Sequence, residues 1–230
     1  MDAAQGGFIL WITGMNGSGK STLARYLRQH LATAGRAVEL IDGDDPAELL
    51  TRGLGPTKED RDAAVRRIGH VAKMLARNGV LALCASLSPY REPRETLRRE
   101  ARRFVEIFVD CPIETLLARN PIYKKALAGE VKNVPGVDDP YEPPTHAEIT
   151  VQSGEETVEA AARRIFQAFV DLKYLTPAEF GRLTGGARPK RPARARAAPR
   201  KKLEARLARR KASKKAAART TKAPRRASRR

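Results

Sequence analysis

The chain has 230 residues, of which 45 are lysine or arginine and 26 are aspartate or glutamate, giving a formal net charge of +19. This length is sufficient to bury a hydrophobic core without disulfides, and 41% hydrophobic residues exclude a collagen-like or fully disordered chain. No apolar run approaches the roughly 18 residues that span a bilayer, and residues 1–7 lack the pattern of a signal peptide. Because the chain also contains only two cysteines, we expect a cytoplasmic protein without membrane contact.

Apolar runs of strand length alternate along the chain with stretches that have helical spacing. The predicted strands are residues 8–13, 38–41, 80–84, 104–109 and 148–151. The predicted helices are residues 21–34, 58–78, 92–103, 113–119 and 157–172. Several of the strands are continuously apolar, which is typical of strands that are covered on both faces. The alternation therefore predicts an α/β fold with a parallel sheet between two layers of helices.

A phosphate-binding sequence lies between the first predicted strand and the first predicted helix. Residues 14–21 satisfy the pattern G-x-x-x-x-G-K-[ST], in which glycines let backbone N–H groups turn toward phosphate oxygens. Lys20 is expected to reach the β and γ phosphates of ATP, and the Ser21 hydroxyl to bind Mg²⁺. An ordinary glycine-rich turn does not need Lys-Ser at this offset, so we predict a P-loop NTPase-type three-layer sandwich. The predicted ATP-binding residues are Gly14, Met15, Asn16, Gly17, Ser18, Gly19, Lys20, Ser21 and Thr22.

Two carboxylates follow the second predicted strand, where Asp42 and Asp44 flank a glycine. Carboxyl ends of parallel strands form the ligand crevice of such folds. One carboxylate can organise the water shell of a metal, and the other can accept a hydroxyl proton, as phosphoryl transfer to an alcohol requires. The strand at 80–84 is followed by Ala85 and Ser86 rather than by an acid, which favours a small-molecule kinase over a motor or regulatory NTPase. A solvated turn is the alternative interpretation of the two aspartates.

Further motifs extend this pattern over residues 8–169, and their order and spacing resemble those of the adenylylsulfate (APS) kinases of sulfate assimilation. The resemblance implies ATP-dependent phosphorylation of the ribose 3′-hydroxyl of APS, which gives PAPS, and it implies a homodimer. The motifs that carry it are the phosphate loop, Asp42-Gly43-Asp44 and the segments 59–61, 66–73, 87–91, 108–112, 123–126 and 136–142.

The resemblance also assigns roles to individual residues. It implies that Asp44 contacts the acceptor ribose and acts as the base. The predicted metal ligands, Ser21 and Asp42, follow from the phosphate loop and from the carboxylate pair described above. Ser88 matches a serine described in this family as a phosphoserine site, although a turn serine before Pro89 is an equal alternative. Lys124 and Lys125 are expected on a basic lid, or else as a solvated charge pair. The implied catalytic residues are Lys20, Asp44 and Ser88. The implied substrate-binding residues are Asp44, Arg61, Leu87, Ser88 and Lys125.

Four departures from the family pattern fall on the acceptor or lid side. Ala47 stands where an arginine is expected, Pro56 where a phenylalanine is expected and Ala64 where an asparagine is expected. The lid lacks the usual Lys-Gly and reads Asn120-Pro121-Ile122-Tyr123. The acceptor could therefore be another nucleotide-like or phosphorylated small molecule. A nucleic-acid-associated protein with a nucleotide-responsive body is a third hypothesis.

The excess positive charge lies at the C-terminal end. Residues 187–230 contain 20 lysines or arginines and one acid, Glu204, so they account for the whole net charge of +19. This Ala/Lys/Arg/Pro-rich composition predicts a disordered tail, similar to those of linker-histone-like proteins, which could bind nucleic acid without sequence preference or simply aid solubility. The predicted organisation is thus a kinase domain at 1–174, a short linker at 175–186 and the tail.

Overall fold

A parallel sheet of five strands forms the centre of the structure, a computed structural model that describes residues 6–45 and 47–185. The strand order is β2-β3-β1-β4-β5, and every neighbouring pair is parallel. The predicted fold class is therefore confirmed. The strands are β1 (Ile9–Thr13), β2 (Val38–Asp42), β3 (Leu81–Ala85), β4 (Phe104–Asp110) and β5 (Ile149–Gln152).

Seven helices lie within the described residues. They are α1 (Lys20–Thr33), α2 (Lys58–Arg77), α3 (Arg91–Glu100), α4 (Ile113–Arg119), α5 (Pro121–Leu127), α6 (Val158–Asp171) and α7 (Pro177–Thr184). No helix in this part of the chain is both long and apolar enough to cross a bilayer.

The side chains of β1 explain the three layers. Leu10 and Ile12 pack in one core with α1, α6 and α7, whereas Ile9 and Trp11 pack in a second core with α2 and α3. Successive side chains of a strand point to opposite faces, so a strand covered on both faces must be apolar throughout. The continuously apolar run at the start of the chain follows from this position at the centre of the sheet.

Two helices were not predicted from the sequence. Helix α5 begins at Pro121, and the Asn120 side chain accepts the N–H of Ile122 at 3.1 Å to cap it. Helix α7 lies inside the expected linker, and Thr176 and Glu179 form a capping box at its start.

Leu175 and Leu183, which belong to the segment predicted as a linker, are buried in the same core as α1 and α6. The packed body therefore extends at least to Gly185. The tail predicted at 187–230 lies outside the described residues.

Candidate active site

The carboxyl ends of three adjacent strands bring the predicted site together. The phosphate loop follows β1, the Asp42-Gly43-Asp44 turn follows β2, and residues 86–90, which we call the acceptor loop, follow β3. Because β3 lies between β2 and β1, these three segments meet at one edge of the sheet.

The phosphate loop adopts a backbone that requires its glycines. Gly17 has a φ of 83° and Gly19, the N-cap of α1, has a φ of 105°, both in the left-handed region that favours glycine. At Gly14, a Cβ atom would lie only 2.5 Å from the carbonyl oxygen of Val109. The predicted ATP-binding residues thus form one strand-to-helix turn that ends in the N-terminus of α1, a suitable arrangement for an anion.

Lys20 and Asp44 form an ion pair at the centre of the site. The Lys20 Nζ lies 2.8 Å from Asp44 Oδ2 and donates to the Met15 carbonyl at 3.1 Å, and the lysine side chain is only 2% exposed. The other carboxylate oxygen of Asp44 accepts the backbone N–H of Leu87 at 3.2 Å. Asp44 therefore connects Lys20, the residue predicted to bind phosphate, to the acceptor loop.

Asp42 lies beside Ser21, the other residue predicted to bind a metal. Ser21 Oγ donates to Asp42 Oδ1 at 3.1 Å, and Arg25 donates to Asp42 Oδ2 at 3.1 Å. A hydroxyl and a carboxylate oxygen side by side suit Mg²⁺, which prefers oxygen ligands and usually completes its shell with water and substrate phosphates. Arg25 was not predicted, although its position four residues after Ser21 on one helix face is a usable signal.

Arg61 connects α2 to the segment 133–139, which follows α5. Its guanidinium donates to the carbonyls of Pro56 at 2.9 Å and Asn133 at 2.5 Å, and its Nε lies 3.8 Å from Asp139. Tyr90 also donates to Asp139, at 2.9 Å. Burial, and to a lesser degree this hydrogen bond, raises the pKa of Tyr90 to about 12. The structure thus places the predicted acceptor ligand Arg61 against backbone carbonyls.

Ser88 is enclosed in the protein. It is 3% exposed, its hydroxyl accepts Trp11 Nε1 at 3.1 Å, and it lies within donating distance of Thr13 Oγ1 (2.9 Å) and the Ser86 carbonyl (3.1 Å). These partners belong to β1 and to the acceptor loop itself. Ser88 therefore has the environment of a buried turn serine, the alternative that the sequence left open.

The lid helix α5 packs directly on the phosphate loop. The phenol of Tyr123 lies beside the backbone of Asn16, and burial raises the pKa of Tyr123 to about 12. A Cβ atom on Gly17 would lie 3.2 Å from the Cβ of Asn120, just before this helix. The predicted substrate residue Lys125 and its neighbour Lys124 are exposed on α5.

A cavity of about 500 Å³ lies beside the phosphate loop. Gly17, Ser18, Gly19 and Thr22 form one wall, and Arg119 together with the turn between β5 and α6 forms the other. Arg119 donates to Ser153 Oγ at 2.8 Å. The volume is typical of a small-ligand pocket. The second wall was not predicted, because its residues are distant in the chain and carry no motif.

Comparisons with known proteins agree with this geometry. The family model for adenylylsulphate kinase matches residues 6–152. The adenylyl-sulfate kinase of Myxococcus xanthus is 51% identical over 167 residues, which cover 70% of this chain and 90% of that protein. The adenylyl-sulfate kinase of Rippkaea orientalis is 46% identical over 173 residues, covering 74% of this chain and 96% of that protein.

A solved structure with a similar fold is that of the Mycobacterium tuberculosis APS kinase in complex with AMPPNP and APS. Its TM-score is 0.66 at 32% identity, and the match covers 71% of this chain and 97% of that chain. The range matched by the family model contains the phosphate loop, both aspartates and the acceptor loop, and the chain therefore belongs to the adenylylsulphate kinase family.

Proposed function

We propose that this protein transfers the γ-phosphate of ATP to the 3′-hydroxyl of adenylyl sulfate (APS), producing PAPS. The observation that carries the proposal is the 2.8 Å pair between Lys20 and Asp44 at the edge where the phosphate loop meets the acceptor loop. The pair supports the proposal because a cation suited to bind phosphate lies next to a carboxylate that can accept a hydroxyl proton.

In this proposal the phosphate loop and Lys20 bind the triphosphate, and the cavity of about 500 Å³ beside Thr22 and Arg119 accommodates the nucleoside. The cavity opens from the same glycines that bind phosphate, so one ligand can fill both parts. Mg²⁺ would be held by Ser21 and Asp42, whose oxygens are 3.1 Å apart. When bound, the metal neutralises negative charge on the phosphates.

Asp44 is the proposed base. Its contact with Lys20 is proposed to give way when ATP binds, because the phosphate oxygens compete with the carboxylate for the donors of the ammonium group. The released carboxylate oxygen is then available to the acceptor hydroxyl, while the Leu87 N–H holds the other oxygen. Ser88 is proposed to support this loop rather than to carry a phosphoryl group, since direct transfer requires only positioning and charge stabilisation.

The acceptor is proposed to lie between Asp44, Leu87, Arg61 and the lid lysine Lys125. Ala47 and Pro56 are exposed in this structure and supply neither a guanidinium nor an aromatic ring there. A stacking ring and a charged hydrogen bond each contribute about 1 to 3 kcal/mol, so we expect a raised KM for APS rather than a different reaction.

The test is a coupled ADP-release assay with purified protein, ATP and Mg²⁺. APS should stimulate ADP release, and label from γ-phosphate-labelled ATP should appear on the 3′ position of the product. Lys20→Ala serves as the inactive control, because it removes the cation that stabilises the transferred phosphate. If AMP or a phosphorylated sugar stimulates ADP release and APS does not, that compound is the acceptor and the proposal for APS is wrong.

We also propose that residues 187–230 bind nucleic acid through charge alone. The support is compositional: 20 basic residues, one acid and no aromatic residue predict salt-sensitive binding without base recognition. In an anisotropy titration, the full chain should bind DNA and RNA alike, with log K falling linearly against log salt, and the chain ending at Gly185 should not bind. Binding that survives this truncation would refute the proposal.

We also propose a cytoplasmic location, from the composition of the chain, and a homodimer, from the family resemblance. The two cysteines, Cys84 and Cys111, are buried free thiols, which is compatible with a reducing compartment.

A further inference from the structure

Arg94, on the first turn of α3, is one of the most buried charged side chains described, with 1% exposure. Its Nε donates to Glu106 Oε1 at 2.8 Å, and its two terminal nitrogens donate to the carbonyls of Ser88, Tyr90 (2.9 Å) and Glu142 (2.7 Å). A buried guanidinium is costly unless its donors are satisfied, so these contacts fix its position. Two of the three carbonyls belong to the acceptor loop.

The acceptor loop needs this support because its backbone is strained. Ser88 has a φ of 32°, in a region that residues other than glycine rarely adopt. Such conformations persist only where the surroundings hold them. Here Trp11 and Thr13 bind the Ser88 side chain from β1, and Arg94 binds its carbonyl from α3.

The same loop determines how Asp44 is presented. The residue before Ser88 is Leu87, whose N–H reaches Asp44 Oδ1 at 3.2 Å, while Lys20 binds Oδ2. We propose that Arg94 is a positioning residue of this kinase: by holding the carbonyls of Ser88 and Tyr90, it keeps the Leu87 N–H directed at the Asp44 carboxylate. The expected effect on kcat rests on the proposed function, whereas the expected effect on the acceptor loop does not.

Arg98, one turn further along α3, provides a matched control. It also donates to Glu106, at 3.2 Å, but its other partners are Glu148 and the His146 carbonyl, and none of these belongs to the acceptor loop. A changed cationic partner of Glu106 is therefore common to variants of both arginines. Loss of support for the loop is specific to Arg94.

The first experiment compares Arg94→Lys with Arg98→Lys in the full chain. A lysine can still pair with Glu106, but its compact ammonium cannot span the three carbonyls that the guanidinium fork reaches. We expect Arg94→Lys to lower kcat by about tenfold or more and to leave KM for ATP within about twofold, because the phosphate loop is not touched. Arg98→Lys should leave both values within about twofold. Equal effects of the two substitutions would overturn the proposal.

The second experiment needs no activity. Trp11 is the single tryptophan of the chain, and its indole N–H binds Ser88. Release of the loop should therefore raise acrylamide quenching of tryptophan fluorescence in Arg94→Lys by about twofold or more, with Arg98→Lys unchanged. Unchanged quenching in both variants would also overturn the proposal.

The two readouts separate this inference from the proposed function. If the natural chain does not phosphorylate APS but quenching increases only in Arg94→Lys, the acceptor assignment fails and the role of Arg94 in the loop stands. If the natural chain is active and Arg94→Lys behaves like Arg98→Lys, the role of Arg94 fails alone. Should Arg94→Lys not fold, Arg94→Gln combined with Glu106→Gln makes the same comparison, because that pair leaves no buried carboxylate at position 106 without its partner.

Discussion

The Asp44 carboxylate has two different partners, a buried ammonium on one oxygen and a backbone N–H on the other. If it accepts the proton of the acceptor hydroxyl, Asp44→Asn should lower kcat by about two to four orders of magnitude, because the amide cannot take up that proton. KM for ATP should not rise, since the substitution removes a competitor for Lys20. Steady-state kinetics with ATP and APS varied separately measure both values.

Asp45→Asn is the control at the same turn, because the Asp45 side chain is exposed and accepts the Ala47 N–H at 2.9 Å. Its kcat should stay close to that of the natural protein. A normal kcat for Asp44→Asn would show that Asp44 has a structural role only.

Two tyrosines of the site make stability depend on alkaline pH. Burial raises the pKa of Tyr123 to about 12, and burial together with the Asp139 hydrogen bond raises that of Tyr90 to about 12. Because unfolded phenols titrate near pH 10, the folded chain binds more protons than the unfolded chain between about pH 10 and 12. The free energy of unfolding should therefore be unaffected by these groups below about pH 10 and decrease as the pH rises through this window.

Phenolate absorbance across this pH range measures the ionisation of the tyrosines in the folded chain. Urea unfolding at the same pH values measures the free energy of unfolding. Tyr90→Phe should remove one late-titrating phenol and flatten the loss of stability. The prediction fails if every tyrosine of the folded protein titrates near pH 10.

At the scale of elements, the segment after α5 packs against the phosphate loop. Gly136 has a φ of 87°, and a Cβ atom there would lie 2.5 Å from the sulfur of Met15. Gly136→Ala should therefore displace Met15 as well as strain the backbone, and we expect a KM for ATP raised about threefold or more.

Gly129→Ala is the matched comparison, because Gly129 has a φ of 76° but nothing lies within 4 Å of the added methyl group. It should cost about 1 kcal/mol of stability from the left-handed backbone alone, with KM for ATP unchanged. If the two variants have the same KM for ATP, the segment does not control the shape of the phosphate loop.

For the whole molecule, the position of α7 determines where the chain can be shortened. Truncation after Tyr174 removes Leu175 and Leu183 from the core and the Glu179 carboxylate that lies 2.8 Å from Arg36. Each buried leucine contributes about 1.5 to 3 kcal/mol, so this truncation should lower the free energy of unfolding by several kcal/mol. Truncation after Gly185 should leave both stability and kinase activity unchanged. Urea unfolding followed by circular dichroism compares the two, and equal stabilities would show that α7 adds nothing to the folded body.

Local patterns in the sequence were sufficient to predict the three-layer fold and the position of the P-loop. A central strand covered on both faces has to be apolar throughout, and a phosphate-binding turn needs glycines with lysine and serine at a fixed offset, so β1 and the P-loop are readable from adjacent residues. The two aspartates that flank a glycine after β2 are also a local pattern, and the roles of Asp42 and Asp44 stay predictions. Helix α7 was missed because eight residues with few apolar positions are a weak periodic signal, and packing against α1 and α6 stabilises the helix.

The contacts of the site depended on long-range packing, which no local pattern specifies. Spacing along the chain does not predict that Tyr123 lies beside Asn16 or that Arg61 binds the carbonyl of Asn133. It does not predict either that Arg94 binds the carbonyls of Ser88 and Glu142. The order of the strands and the angles of the helices bring these groups together. Ser88 is the clearest case. A serine before a proline predicts either a reactive hydroxyl or a turn, and only the folded chain shows that this side chain is buried against Trp11 and Thr13. Sequence thus determined which residues could do chemistry, and the tertiary structure decided which of them face one another, since that depends on groups far apart in the chain sharing one buried volume.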